Sequence, residues 1–123
     1  MAYKYAQKSG ELTNLSGNLI GTGYSGNGEG LNNPALQDDP GVGPIPQGDW
    51  AIGDFFDDLG GKGPIVAHLK PMPGTETFGR SGFMIHGDNA AMDHTASHGC
   101  LVLPHPLRAQ IAASAERQLT VTA

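Results

Sequence analysis

The sequence predicts a mainly β domain with one C-terminal helix. Three observations carry this. Nineteen glycines and nine prolines in 123 residues are nearly twice the ordinary combined share of about 12%, which excludes a helical bundle. Apolar residues alternate in short runs separated by turn residues. Only one stretch, near the C-terminus, carries helical periodicity. The length allows a single domain over residues 1–123 with one hydrophobic core.

The elements follow in order. Tyr3 and Tyr5 alternate around Lys4, Ser9-Gly10 turns the chain into Glu11–Leu15, and Ser16-Gly17-Asn18 turns it into Leu19–Tyr24, a β-meander. Residues 26–46 are rich in Gly, Asn, Asp and Pro. They read as a long surface loop, either a lid or binding edge or a tolerated insertion. Residues 43–49 turn into a strand with Trp50 and Ile52 on one face. Trp50 is expected to fill the core. Gly60–Gly63 makes the next turn into Ile65–Lys70, which Pro71 and Pro73 end. His68 falls in that strand and reads as a structural histidine. Gly82–His86 and Cys100–Leu103 are further short strands. Pro106 suits a first helical position, and Leu107, Ile111 and Ala115 recur at helical spacing, which predicts a helix over 106–117. Gln118–Thr122 alternates Leu119 and Val121 and reads as an edge or hairpin strand.

Composition excludes several functions. The net charge of −5 leaves no basic footprint for nucleic acid or an anionic membrane. The longest apolar stretch, Cys100–Leu103, is far too short to span a bilayer. The polar N-terminus lacks the apolar centre of a secretory signal. The expectation is therefore synthesis in the cytoplasm and, for any role outside it, delivery by another route. One cysteine cannot form an internal disulfide.

That cysteine shares the stretch 86–100 with three of the five histidines: His86, His94 and His98. Three readings stay open. A thiol is mostly protonated at neutral pH, so a nearby imidazole can make it a nucleophile. His, Asp and Cys are also zinc ligands, although none of the usual zinc spacings occurs. Alternatively, the stretch is a polar loop between core strands. Parity supports the first reading. Phe83 and Ile85 must face the core, which puts His86 on the opposite face, and Leu101 and Leu103 inward puts Cys100 opposite as well. If the two strands are neighbours, Cys100 returns beside His86. Gly87 and Gly99 leave the backbone bare for substrate and for N–H donors to an oxyanion.

Ser97-His98-Gly99-Cys100, with His86-Gly87 upstream, resembles the signature of L,D-transpeptidase (YkuD-type) catalytic domains. Residues 43–52, Gly-Pro-Ile-Pro-Gln-Gly-Asp-Trp-Ala-Ile, resemble a segment upstream in the same domains. Residues 79–88 and Tyr24-Ser25-Gly26-Asn27-Gly28 are closer still to small type VI secretion toxins of that kind. The resemblance spans residues 24–108. It implies a YkuD-like β-sandwich or barrel and a thiol enzyme acting on peptidoglycan stem peptides. Cys100 would attack the diaminopimelate–D-alanine bond and form a thioester, with His86 as base and then acid. A backbone carbonyl near Gly87 would orient His86, and N–H groups around Gly99 and Cys100 would hold the oxyanion. Water would give an L,D-carboxypeptidase, an amine a transpeptidase.

In that reading Ser97 and His98 join the catalytic set in secondary roles. Tyr24 and Ser25 wall the substrate groove, and Asp88, which follows the His-Gly pair, is a substrate-binding candidate. Many relatives of the resembled family carry Arg two positions after the cysteine, where this chain has Val102. Arg80 and Arg108 are the candidates for the missing cation. Arg80 reaches the site only if the chain bends near Ser81-Gly82, and Arg108 reads equally well as a solvated helix residue. Asp93, His94 and His105 read as loop residues. No cofactor or metal is expected on this reading. Partners would be stem peptides, an immunity protein and a secretion component, with the periplasm of a target bacterium as destination. The alternatives are a zinc-dependent murein peptidase and a non-catalytic wall-binding module.

Overall fold

Alternating tyrosines at the N-terminus build the first strand of a meander. In the computed structural model, which describes residues 2–59, 61–88 and 97–123, Tyr3–Ala6 (β1), Glu11–Thr13 (β2) and Leu19–Thr22 (β3) pair antiparallel in sequence order. Tyr3, Tyr5 and Leu12 are buried and Lys4 is exposed. The period of two thus reads out directly as inside and outside.

Tyr24–Ser25 (β4) follows β3 after Gly23 alone. Then come Gly48–Ile52 (β5), Phe56–Asp58 (β6), Gly63–Pro71 (β7), Met84–His86 (β8), Leu101–Val102 (β9), the helix His105–Ala113 (α1) and Gln118–Thr122 (β10). The strands form one sheet in the order β3-β2-β1-β10-β5-β7-β8-β9-β4, with β6 joined to β7 alone. The first and last strands of this path, β3 and β4, are successive in the chain. The sheet is therefore a nearly closed barrel. Gly23 makes the corner. Its N–H donates to Gly10 O at 2.8 Å, and a Cβ there would strike the Val102 carbonyl.

The core joins both halves. Trp50 is fully buried, meets Phe83 edge to face with ring centroids 4.9 Å apart, and donates from Nε1 to Pro46 O at 3.0 Å. Leu107 and Ile111 bring α1 onto the same cluster.

Four expectations are corrected. β10 is an interior strand, parallel to β1 and antiparallel to β5. Alternation reports a half-buried strand but carries no mark of how many neighbours its backbone has. The helix stops at Ala113, short of 117. The Arg117 side chain folds back onto the carbonyls of Ile111, Ala112 and Ser114, satisfying the C-terminal acceptors a longer helix would have used. β6, which was not predicted, has the sequence Phe-Asp-Asp, with no apolar alternation to announce it. His68 is exposed and stacks on Phe56, centroids 5.5 Å apart, because Ala67 and Leu69 form the core face of β7.

Candidate functional site

The stretch with the histidines and the cysteine is held by a parallel strand pair. β8 and β9 are neighbours with Ile85 opposite Leu101 and His86 opposite Val102. Ile85 and Leu101 are fully buried in the core. The pleat therefore sends His86, Val102, Met84 and Cys100 to the other face. Cys100, immediately before β9, lies on the same face as His86 and one step diagonal to it. Leu103 N–H extends the ladder to His86 O at 3.0 Å.

His86 is 1% exposed. Its Nδ1 lies 2.7 Å from Gly87 O. A carbonyl only accepts, so Nδ1 carries the proton and Nε2 presents a lone pair. That Nε2 is buried, with no hydrogen-bond partner among the described residues. Burial pushes the imidazole pKa down, and Lys62 and Arg108 add to this against the opposing pull of the Gly87 carbonyl and Asp88.

The Cys100 thiol is half-buried. Burial pushes its pKa up, while a Met84 backbone hydrogen bond and the charges of Lys62 and Arg80 pull it down. Sγ points toward Gly82 O at 3.8 Å. No hydrogen bond joins Sγ to Nε2 among the described residues. The resting site thus holds a neutral thiol and a neutral imidazole on one face.

The turn before Cys100 is built by two serines. Ser97 Oγ donates to Cys100 O (2.6 Å) and accepts from Gly26 N (2.9 Å) and Gly99 N (3.2 Å). Ser25 Oγ donates to Cys100 O (2.8 Å) and accepts from Ile45 N (2.8 Å). Both hydroxyls are buried, so they shape the cysteine turn instead of facing a groove. The Gly99 N–H expected for an oxyanion is engaged by Ser97 in this state. Gly99 has φ +125° and lies tight against the Arg80 guanidinium, a place only glycine fills without strain. His98 is exposed, with Nδ1 3.2 Å from Gly41 O. Asn27, which residue-by-residue reading passed over, donates to Gly41 O (2.8 Å) and Ser97 O (2.7 Å). Its only sequence signal was its place in the quoted 24–28 string.

The chain does bend at Gly82, with φ +78°, and Arg80 reaches the turn before Cys100. Its guanidinium donates to Gln37 O (2.5 Å), Pro44 O (2.8 Å) and Gly43 O (3.0 Å), and Asp39 and Asp38 offset its charge. Arg80 therefore pins the 26–46 loop against the cysteine turn. Arg108 is buried, which removes the solvated-helix reading. It donates from Nε to Leu103 O (3.0 Å) and from Nη1 to Pro64 O (2.5 Å). Tyr24 Oη donates to Asp88 Oδ1 at 2.6 Å. Tyr24, Asp88, Val102, His105 and Arg108 line a pocket of about 440 Å3. Neither His86 nor Cys100 lines it; Val102, the register partner of His86, does.

Lys62 carries no sequence signal, yet its charge acts on both His86 and Cys100. Asp93 and His94 lie outside the described residues. Among the described residues no group of three or more His, Cys, Asp or Glu is arranged to hold a metal, and no helix is long and apolar enough to cross a membrane.

A family model described as the Tlde1 domain matches residues 20–122. The chain belongs to the Tlde1 domain family. That family is one of type VI secretion effectors, so the Tlde1 match agrees with the effector half of the expected function. The matched span takes in β3 to β10, and with them the cysteine turn, the His86–Gly87 pair and the pocket. No curated protein matches the chain significantly.

Proposed function

We propose that this Tlde1 domain is a cysteine-dependent peptidoglycan-processing enzyme of the L,D-transpeptidase/L,D-carboxypeptidase (YkuD) kind, acting on the diaminopimelate–D-alanine bond of stem tetrapeptides. One observation supports this above all. The buried imidazole is fixed by Nδ1–H on the Gly87 carbonyl, and its Nε2, without a partner among the described residues, belongs to the face that carries the only thiol. An acceptor so prepared has a task only if a proton arrives at it.

The chemistry follows from that arrangement. As substrate enters, Nε2 takes the Sγ proton while sulfur bonds to the scissile carbonyl carbon, and the carbonyl electron pair moves to oxygen. Collapse breaks the C–N bond. The imidazolium returns its proton to the departing D-alanine amine, leaving a Cys100 thioester. Water or an amine then attacks the thioester, giving up a proton to His86, and the thiol is restored. Because burial favours the uncharged forms of both groups, activation occurs by proton transfer during attack and not through a standing ion pair. The looser geometry of the free site suits this order of events.

Such an effector is made in the cytoplasm of the producing cell, acts in the periplasm of the target, and requires an immunity partner where it is made. Release of D-alanine from disaccharide-tetrapeptide tests the reading. Cys100→Ala and His86→Ala should each abolish it with the fold intact, and release that persists in Cys100→Ala overturns the mechanism. A wall-binding module has one observation in its favour, the missing Sγ–Nε2 hydrogen bond. It predicts sacculus binding without turnover.

A further inference from the structure

Arg108 is a buried cation with no carboxylate bonded to it among the described residues. It is 7% exposed, and its recorded acceptors, Leu103 O, Pro64 O and Ile65 O, are all neutral carbonyls. Among the described residues no carboxylate pairs with it. Guanidinium stays protonated, and a buried charge held only by dipoles is left unneutralised. These carbonyls engage Nε and Nη1. Nη2 has no hydrogen-bond partner among the described residues and rests on Gly87, where an added Cβ would lie 2.6 Å from it.

The pocket that Arg108 lines has a second charged wall. Asp88, hydrogen-bonded to Tyr24 Oη at 2.6 Å, brings a carboxylate to the same cavity of about 440 Å3. A cavity with a fixed cation on one wall and an anion on another complements a group that carries both charges. We infer that this pocket binds an amino-acid head group, its carboxylate on Arg108 and its ammonium toward Asp88. The inference rests on the thioester reading for its purpose. Val102, on the pocket wall, is two residues from Cys100, about 7 Å along a strand, so a head group held there lies within a residue or two of the carbonyl that sulfur attacks. Arg80 does not compete for the role, since backbone carbonyls and two aspartates already surround it.

The test is equilibrium binding, read apart from turnover. Full-length Cys100→Ala protein is titrated with D-alanine while the backbone amide signals of Gly87, Val102 and His105 are followed by NMR. D-alanine should shift all three saturably. Its methyl ester, which lacks the carboxylate, and N-acetyl-D-alanine, which lacks the ammonium, should each bind at least about tenfold more weakly, as expected for loss of one charged hydrogen bond. Asp88→Asn, on an exposed side chain, should weaken D-alanine about tenfold and leave N-acetyl-D-alanine unchanged. No saturable shift with D-alanine, or equal affinity for the ester, overturns the inference. D-alanine release by the wild-type protein without head-group binding would overturn the pocket and spare the thioester reading. Binding without release would do the reverse.

Discussion

Arg80 packs against the cysteine turn and Arg108 against Gly87, and the two do opposite things. Both are drawn in by backbone carbonyls. Arg80 has Asp38 and Asp39 to offset its charge and sits on the Phe83 ring at 5.2 Å. Among the described residues Arg108 has neither a bonded carboxylate nor a ring beneath it, and it borders a cavity. The lesson is that being drawn in by backbone carbonyls and having the charge compensated are separate conditions. A guanidinium that meets both is a structural clamp. One that meets only the first leaves a local field into which an anion can bind.

Removing the His86 imidazole has the largest expected effect. His86→Ala should lower kcat/KM at least about a thousandfold, measured as D-alanine release, with circular dichroism checking the fold. Next comes Arg80→Ala, which removes three charge-assisted hydrogen bonds and frees the 26–46 loop. It should cost about 2–3 kcal/mol in denaturant unfolding. Arg80→Lys should recover little of this, since an ammonium cannot reproduce the planar fork. If Arg80→Ala unfolds like wild type, the clamp half of the comparison fails.

A smaller effect is the pH dependence of His86. Its folded pKa lies below the ordinary value of about 6.5, so between the two values the unfolded chain binds more protons and stability rises with pH. The His86 contribution is complete above about 6.5 and falls away as pH drops toward the folded value. The acid limb of kcat/KM should lie below 6.5 for the same reason, and a limb above it would contradict the buried neutral base. Smallest is the alkylation profile of Cys100. Its midpoint should lie above the free-thiol range of about 8.5, and Lys62→Ala and Arg80→Ala should each raise it further, by a few tenths of a pH unit if the charges are as screened as surface pairs usually are. A midpoint well below 8.5 would instead mean a thiolate–imidazolium pair at rest.

Much of the fold was legible in the residues. The meander, the Trp50–Ile52 face and the β8 and β9 parities follow from alternation and from turn glycines, which act locally. The placement of Cys100 and His86 on one face was legible for the same reason, because Phe83, Ile85, Leu101 and Leu103 had to go inward. The roles of Ser25 and Ser97 were not. Ser25 reaches the Cys100 carbonyl, and Ser97 the Gly26 N–H, only across a long sequence separation, and a serine in a loop looks the same whether it faces substrate or scaffold. The early end of α1 was hidden likewise, since it depends on the fold-back of Arg117.

By itself, then, the sequence determined a β-rich chain, the inward and outward faces of its strands, and a lone thiol on the same side as an imidazole. Tertiary structure alone decided that β10 is central, that Arg80 clamps a loop, and that Arg108 is buried with no counter-ion among the described residues. The division has a physical cause. Side-chain alternation and turn propensity are properties of a few neighbouring residues, whereas strand order, burial of charge and the acceptors of a guanidinium depend on segments the chain brings together only when folded.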